Sequence, residues 1–373
     1  MENEEIKSPS LQAAEDSVAQ NPSALAVGGE AEAAIETEAA TPLDENVKTL
    51  SPFRLVLKRF FRSKLSIVGL SIIIFLFLFS FLGPVIFHRW GELDIDRGKN
   101  IAQTVDQSTI ETTLPDESTA EITQVIVTPQ EINALAAPSL KHWLGTDETG
   151  MDVFTRLMFG GRISLLVSLL VVFLETILGV ILGGLAGYFG KWVDQVIMRI
   201  VDIFMCVPTF PLLLLAGSIL DAFEVDPSMR IYYLMMILTL LGWSGTARIV
   251  RGQILFLREQ EYMVAAEAMG LSTPRKIFKH LVPNVMPQLI VSMTLGLGGT
   301  ILYEASLSYL GLGVQAPYAA WGTMISIISK NPNILQNNLW VWGPPGVAII
   351  LAVLGFNFIG DGLRDALDPR MKR

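Results

Sequence analysis

The sequence predicts an all-α integral membrane protein with six transmembrane helices. Three observations carry that expectation. Of 373 residues, 51% are apolar and 17% charged, where a soluble domain holds about 25% charged residues; mean hydropathy is +0.47. Six apolar runs approach the roughly 20 residues that a helix needs to cross hydrocarbon. The runs are continuous rather than alternating, which argues against a barrel, and helix is required because lipid offers backbone groups no partner.

The elements follow in order. Residues 1–46 hold eleven carboxylates and one basic residue, Lys7, so the net charge of −9 belongs to this stretch and the remainder sums to +1. With few large apolar side chains, residues 1–50 cannot bury enough surface to offset ordering entropy, and are expected to be a disordered acidic cytoplasmic tail. No basic stripe marks a nucleic-acid surface. The first apolar run begins near Leu65, too far in for a cleaved signal peptide. The single cysteine, Cys206, lies in an apolar run; it excludes a disulfide framework and reads as a buried packing thiol.

Segment 51–88 supplies the first span. A collar of Lys48, Arg54, Lys58, Arg59, Arg62 and Lys64 precedes the apolar run Leu65 to Phe87, which marks its start as cytoplasmic. Five more spans are expected near 163–187, 199–220, 231–250, 286–310 and 344–361. Basic residues cluster after spans two, four and six, whereas 221–230 has only Arg230 against three acids and 311–343 only Lys330. That alternation predicts both termini inside, with Tyr232, Tyr233, Trp340 and Trp342 at the outer interface. Segment 89–158 is then an extracytoplasmic flap, with a short alternating run, Ile122 to Thr128, readable as a strand. Segment 159–362 holds the other five helices, and 363–373 is a cytoplasmic end.

The loop between spans four and five reads REQEYMVAAEAMGLSTPRKIFKHLVPNVMPQ. Glu261 to Met269 is rich in helix formers, and Gly270 suits the left-handed position that ends a helix. Thr273 is a candidate cap for a second helix with Pro274 in its first turn. Pro283 is expected to end that helix and Asn284 to cap span five. The prediction is a helix–glycine–helix elbow whose small residues Ala265, Ala266 and Ala268 let another protein approach. Packing of the elbow on its own bundle is an equal alternative at this point.

Other residues weigh less. Glu175 in span two and Glu304 in span five are intramembrane carboxylates, which are costly and usually face a cavity or a partner; a hydrogen-bonded interior carboxylate is the plainer alternative. Asp202 is within reach of Arg199. Gly183, Gly184 and Gly187, with Gly296, Gly298 and Gly299, suit close helix packing, and Pro208 and Pro211 a kink in span three. His88, His142 and His280 lie far apart, so no metal site is expected. No G-x-x-x-x-G-K-[ST] phosphate loop occurs, and no nucleophile–base set indicates an enzyme.

The elbow resembles the EAA loop of ABC importer permeases, E-A-A-x-x-x-G-x(9)-I-x-L-P. Val264, Ala265, Ala266, Gly270, His280, Val282 and Pro283 stand at the pattern positions, with Val264, His280 and Val282 departing from its Glu, Ile and Leu. LGTDETGMDVFTRLMFGGRISLL (144–166), GYFGKWVDQVIMRIVDI (187–203), EASLSYLGLGVQAPYAAWG (304–322) and FNFIGDGLRDALDPR (356–370) are similar to the C-type subunit of dipeptide and oligopeptide importers. The resemblance covers roughly 50–370. It implies a type I ABC importer permease fold with an extra N-terminal helix and an extracytoplasmic insertion, in a prokaryotic plasma membrane. It further implies a second permease subunit, one or two ABC ATPase subunits that hydrolyse ATP, and an external binding protein, with no cofactor. Glu261, Tyr262, Ala265, Ala266, Glu267, Ala268, Gly270, Arg275 and Pro283 are the implied ATPase-coupling residues; Glu175 and Glu304 are candidates for the pathway or for contact with the second permease. Nickel chelates or other small solutes are the alternative cargo. A secondary transporter is a remoter one, since no paired polar sites at broken helices are evident.

Overall fold

The computed structural model describes residues 52–97, 101–113 and 119–367; the acidic segment 1–50 lies outside them, as does the end beyond 367. Apart from one hairpin the described chain is helical: α1 (Pro52–Phe60), α2 (Lys64–Phe81), α3 (Gly83–Ile86), β1 (Ile101–Thr113), β2 (Thr119–Glu131), α4 (Val153–Phe189), α5 (Lys191–Cys206), α6 (Thr209–Ala222), α7 (Pro227–Arg258), α8 (Glu261–Ala268), α9 (Thr273–Arg275), a π-helical turn Lys276–Leu281, α10 (Val282–Tyr309), α11 (Trp321–Lys330), α12 (Pro332–Asn337) and α13 (Leu339–Leu367). Five stretches are long and apolar enough to cross a membrane, and a sixth if the bent pair α5–α6 counts as one span.

Start and stop signals explain the boundaries. Ser63 caps α2, its hydroxyl accepting from the Ser66 N–H, and the helix stops at Phe81 rather than Phe87, ahead of Gly83–Pro84. α4 begins at Val153, ten residues before the expected start at 163, because Asp152 caps it through the N–H of Thr155. The third span is not straight. α5 ends at Cys206, Pro208 breaks the ladder, and α6 leaves at 78°. α13 runs from Leu339 straight through Pro344 and Pro345.

Two glycine seams bring helices together. On α4, Gly179, Gly183 and Gly187 recur at i, i+4, i+8. A methyl at Gly179 would sit 2.6 Å from the Thr246 Cβ, and one at Gly187 would sit 3.0 Å from the Arg251 carbonyl oxygen of α7. Gly69 of α2 lies against Gly355 and Phe358 of α13 in the same way. Small residues let backbones approach where lipid supplies no hydrophobic drive between helices. Gly299, by contrast, has open space, and Gly184, Gly296 and Gly298 meet neighbours only at ordinary contact distance. Close packing is therefore made by two of the six expected glycines, Gly183 and Gly187, plus Gly179.

Other expectations change. Asp202 pairs with Arg248 of α7 at 2.5 Å, not with Arg199, and Asp194 grips Arg251 through two contacts of 2.5 and 2.6 Å. Both acids point from α5 toward α7, while Arg199 sits on the exposed side. Cys206 is exposed rather than buried, because the bend at Pro208 leaves the last turn of α5 uncovered. The expected strand is present and longer: β1 and β2 pair antiparallel from Ile101↔Glu131 to Thr113↔Thr119.

Candidate functional site

The elbow begins where α7 is tied to α4. Arg258 donates to the Tyr188 carbonyl at 3.0 Å and to that of Gly187 at 3.4 Å. α8 then turns Met263 and Ala266 inward, where Met263 joins Val250, Ile254, Leu281, Val285 and Leu289. Ala266 is thus a packing residue of this chain. Glu261, Tyr262, Val264, Ala265, Glu267 and Ala268 form the outward face.

Gly270 closes α8 at φ +71°. Its N–H reaches the Glu267 carbonyl and the Leu271 N–H that of Ala266, the paired bonds of a Schellman stop. The second arm differs from expectation. Ser272, not Thr273, holds the cap position, with no side-chain cap bond, and Pro283 does not end a helix. Residues 273–309 run as one 37-residue helix through the π-helical turn. That widened turn sits immediately before Pro283, which has no N–H to continue the α ladder. Asn284 does not cap; its amide donates to the His280 carbonyl at 2.7 Å and meets the Tyr262 hydroxyl at 3.5 Å, joining the two arms. Lys276 is buried, 3.9 Å from Glu267 and over the Tyr188 ring.

The elbow is therefore a braced unit with a bare outer face. Met269 and Phe278 are 72% and 71% exposed on it, beside Val264 and Tyr262, with Glu261, Glu267, Arg275 and Lys279 around them and Pro283 exposed at the far end. Met269 and Phe278 were not among the sequence candidates. Their only sequence signal is being large and apolar beside Gly270 and between Lys276 and Lys279.

The opposite end of the bundle holds a polar knot. Glu304 is 2% exposed and accepts from the hydroxyls of Ser164 and Ser308, each at 2.8 Å. Those hydroxyls in turn accept from the Trp321 and Val314 N–H groups. One carboxylate thus joins α4, α10 and the start of α11, with no oxygen at an open surface. Nearby, Arg156 meets Asp147 at 3.2 Å and donates to the Pro317 carbonyl at 3.0 Å, at the edge of a cavity of about 750 Å³ rimmed by Glu148, Gln315 and Lys330. Burial pushes the Glu148 carboxyl up, Lys330 opposing it and Asp147 adding to it. Glu175 is half-buried on the α4 seam with its carboxylate against Gly242 of α7, so the structure does not bring it to Glu304.

A clasp holds the flap to α4. His142, 1% exposed, faces Asp152 at 2.9 Å through Nδ1 and Asp96 at 3.1 Å through Nε2, and stacks on Trp90. Lys141 and Asn133 also reach Asp96. Burial would raise the Asp96 carboxyl, but hydrogen bonds from Lys141, Asn133 and His142 outweigh it and hold the group down at about 2.

With this geometry in view, two family models match the chain. Residues 179–373 match the binding-protein-dependent transport system inner membrane component, and residues 51–100 the N-terminal TM domain of oligopeptide transport permease C. The chain belongs to this family of membrane permeases. It is 38% identical over 331 residues to the dipeptide transport system permease protein DppC of Alkalihalophilus pseudofirmus, covering 89% of this chain and 94% of that one. It is 36% identical over 326 residues to the oligopeptide transport system permease protein OppC of Bacillus subtilis, covering 87% and 92%. In this permease the family match takes in the elbow, α10 and, of the polar knot, Glu304, Ser308 and Trp321 but not Ser164, while the N-terminal model takes in α1 and α2.

Proposed function

We propose that this chain is the C-type permease subunit of an ATP-driven importer of di- and oligopeptides, and that segment 261–283 is where an ATPase subunit engages. Both termini lie in the cytoplasm on this reading. A second permease completes the pathway, an external binding protein delivers peptide, and ATP is hydrolysed on the partner chain. The observation that carries the reading is mechanical. The bare face formed by Tyr262, Val264, Met269 and Phe278 belongs to a braced elbow that continues without a break into the 37-residue helix 273–309. Force applied there reaches Glu304 and the outer loop through one rigid element. Glu261, Tyr262, Ala265, Glu267, Ala268, Gly270, Arg275 and Pro283 present the contact; Ala266 supports it from within. Glu175, on the α4–α7 seam, is a contact of the pathway or of the second permease, whereas Glu304 braces the outer end of that lever.

The test is copurification with the co-expressed ATPase and uptake of labelled di- to hexapeptides. Gly270→Arg is expected to leave the permease in the membrane and to abolish both ATPase association and uptake. Normal association and uptake by that variant would sink the coupling assignment. Uptake of nickel chelates but not of peptides would sink the cargo.

A further inference from the structure

A groove of about 690 Å³ opens between α2, α4 and α13, lined by Phe75, Phe79, Phe154, Trp340, Gly343 and Val347 among other wholly apolar neighbours. Gly343, in the second turn of α13, contributes no side chain to its wall. Phe154 also lines a small niche on its other side, together with Arg89, Trp90 and Lys141. Phe79, Phe87 and Trp143 pack edge-on or tilted around Phe154, with ring centres 5.2 to 5.6 Å away. An apolar slot at span depth thus runs up to an aromatic girdle with cations above it, the layering of a bilayer's interface. The cations differ. Lys141 is committed to Asp96, whereas Arg89 is exposed and gives one hydrogen bond, to the Leu140 carbonyl, leaving further guanidinium donors free for a phosphate.

We propose that this groove binds one glycerophospholipid, with an acyl chain lying between Phe79, Phe154 and Val347 and the phosphate resting on Arg89. The complementarity is specific to that occupant. The slot's one hydrogen-bonding side chain is the Trp340 indole, whose N–H is buried beside Gly145 rather than offered to a peptide or sugar, and the cation stands only at the interfacial end.

Native mass spectrometry of the full chain, copurified with its co-expressed subunits in mild detergent and titrated with phosphatidylglycerol, tests the site. Wild type is expected to retain one lipid above the non-specific background. Val347→Trp fills the slot and is expected to lose that lipid. Arg89→Gln keeps the slot and is expected to weaken retention about tenfold, the equivalent of one charge-assisted hydrogen bond. Ile350→Trp, on the exposed side of α13 outside the groove, is the control and should bind as wild type does. The proposal fails if Val347→Trp retains the lipid, if Ile350→Trp loses it equally, or if the assembled complex carries no tightly held lipid because another subunit's helix covers the groove.

Discussion

At the scale of single residues, the positions that matter are those where chemistry leaves no substitute. Gly270 is one, and its reason is conformational. Nothing lies within 4 Å of where its Cβ would be, yet its φ is +71°. Gly270→Ala is therefore expected to cost about 1 kcal/mol from backbone strain alone, and Gly270→Asn less, since Asn tolerates this region. Peptide uptake should fall in the order Gly, Asn, Ala, Arg; an order following side-chain volume alone would contradict a conformational role. Glu304 is the opposite case, a matter of partners. Glu304→Leu leaves the Ser164 and Ser308 hydroxyl protons without an acceptor, at about 1–3 kcal/mol each, whereas Glu304→Gln keeps an acceptor and should unfold close to wild type in a thermal scan. The sequence marked both residues for attention, but for different reasons and with different success. A glycine between two helix-forming stretches announces its own backbone. A carboxylate in a span announces only that something must satisfy it, and the serines that do so lie 140 residues before it and four after.

At the scale of elements, local signals read well and junctions read poorly. α8, Gly270 and the strand at 122–128 were legible because propensity and turn chemistry act within a few residues. Pro283 misled because proline is a stop in isolation, while here a π-helical turn passes the ladder across it and makes one helix of the second arm and the span. The pairs Asp202–Arg248 and His142–Asp96 were hidden, since sequence separation carries no register between helices or across the flap. The flap clasp yields a pH prediction. Asp96 is held at about 2 against an ordinary 3.8, so the folded clasp prefers the ionised form. Its contribution is complete above about pH 4 and is lost as pH falls through 2, once the carboxyl that receives Lys141, Asn133 and His142 is protonated. Hydrogen exchange over residues 132–152 should therefore accelerate between pH 4 and 2 after correction for intrinsic rates. Asp96→Asn should show fast exchange at neutral pH and no further acid step. An acid step of unchanged size in that variant would remove Asp96 as its cause.

At the scale of the whole molecule, stability and motion depend on which helices move as one. The close seams bind α4 to α7 and α2 to α13, while the elbow joins α10 to the ends of α4 and α7 through Lys276, Arg258 and Met263. The span count and the elbow's place between spans were readable from hydropathy and charge, but the seam partners were not. Six glycines looked equivalent in sequence, and only contact with another backbone separates Gly183 from Gly299. That separation can be measured. At Gly183 a methyl would collide with the Ala247 carbonyl, a backbone atom that cannot swing aside, so Gly183→Ala must push α4 from α7 and is expected to cost about 1–3 kcal/mol. At Gly299 there is open space on a helix, so Gly299→Ala removes a poor helix former and should be neutral or stabilising by up to about 1 kcal/mol. Thermal unfolding of the detergent-solubilised chain should rank Gly299→Ala at or above wild type and Gly183→Ala well below it. If the ranking holds in the isolated chain but Gly299→Ala lowers stability in the assembled transporter, the second permease packs on that face of α10. Equal losses for both variants in the isolated chain would contradict the seam.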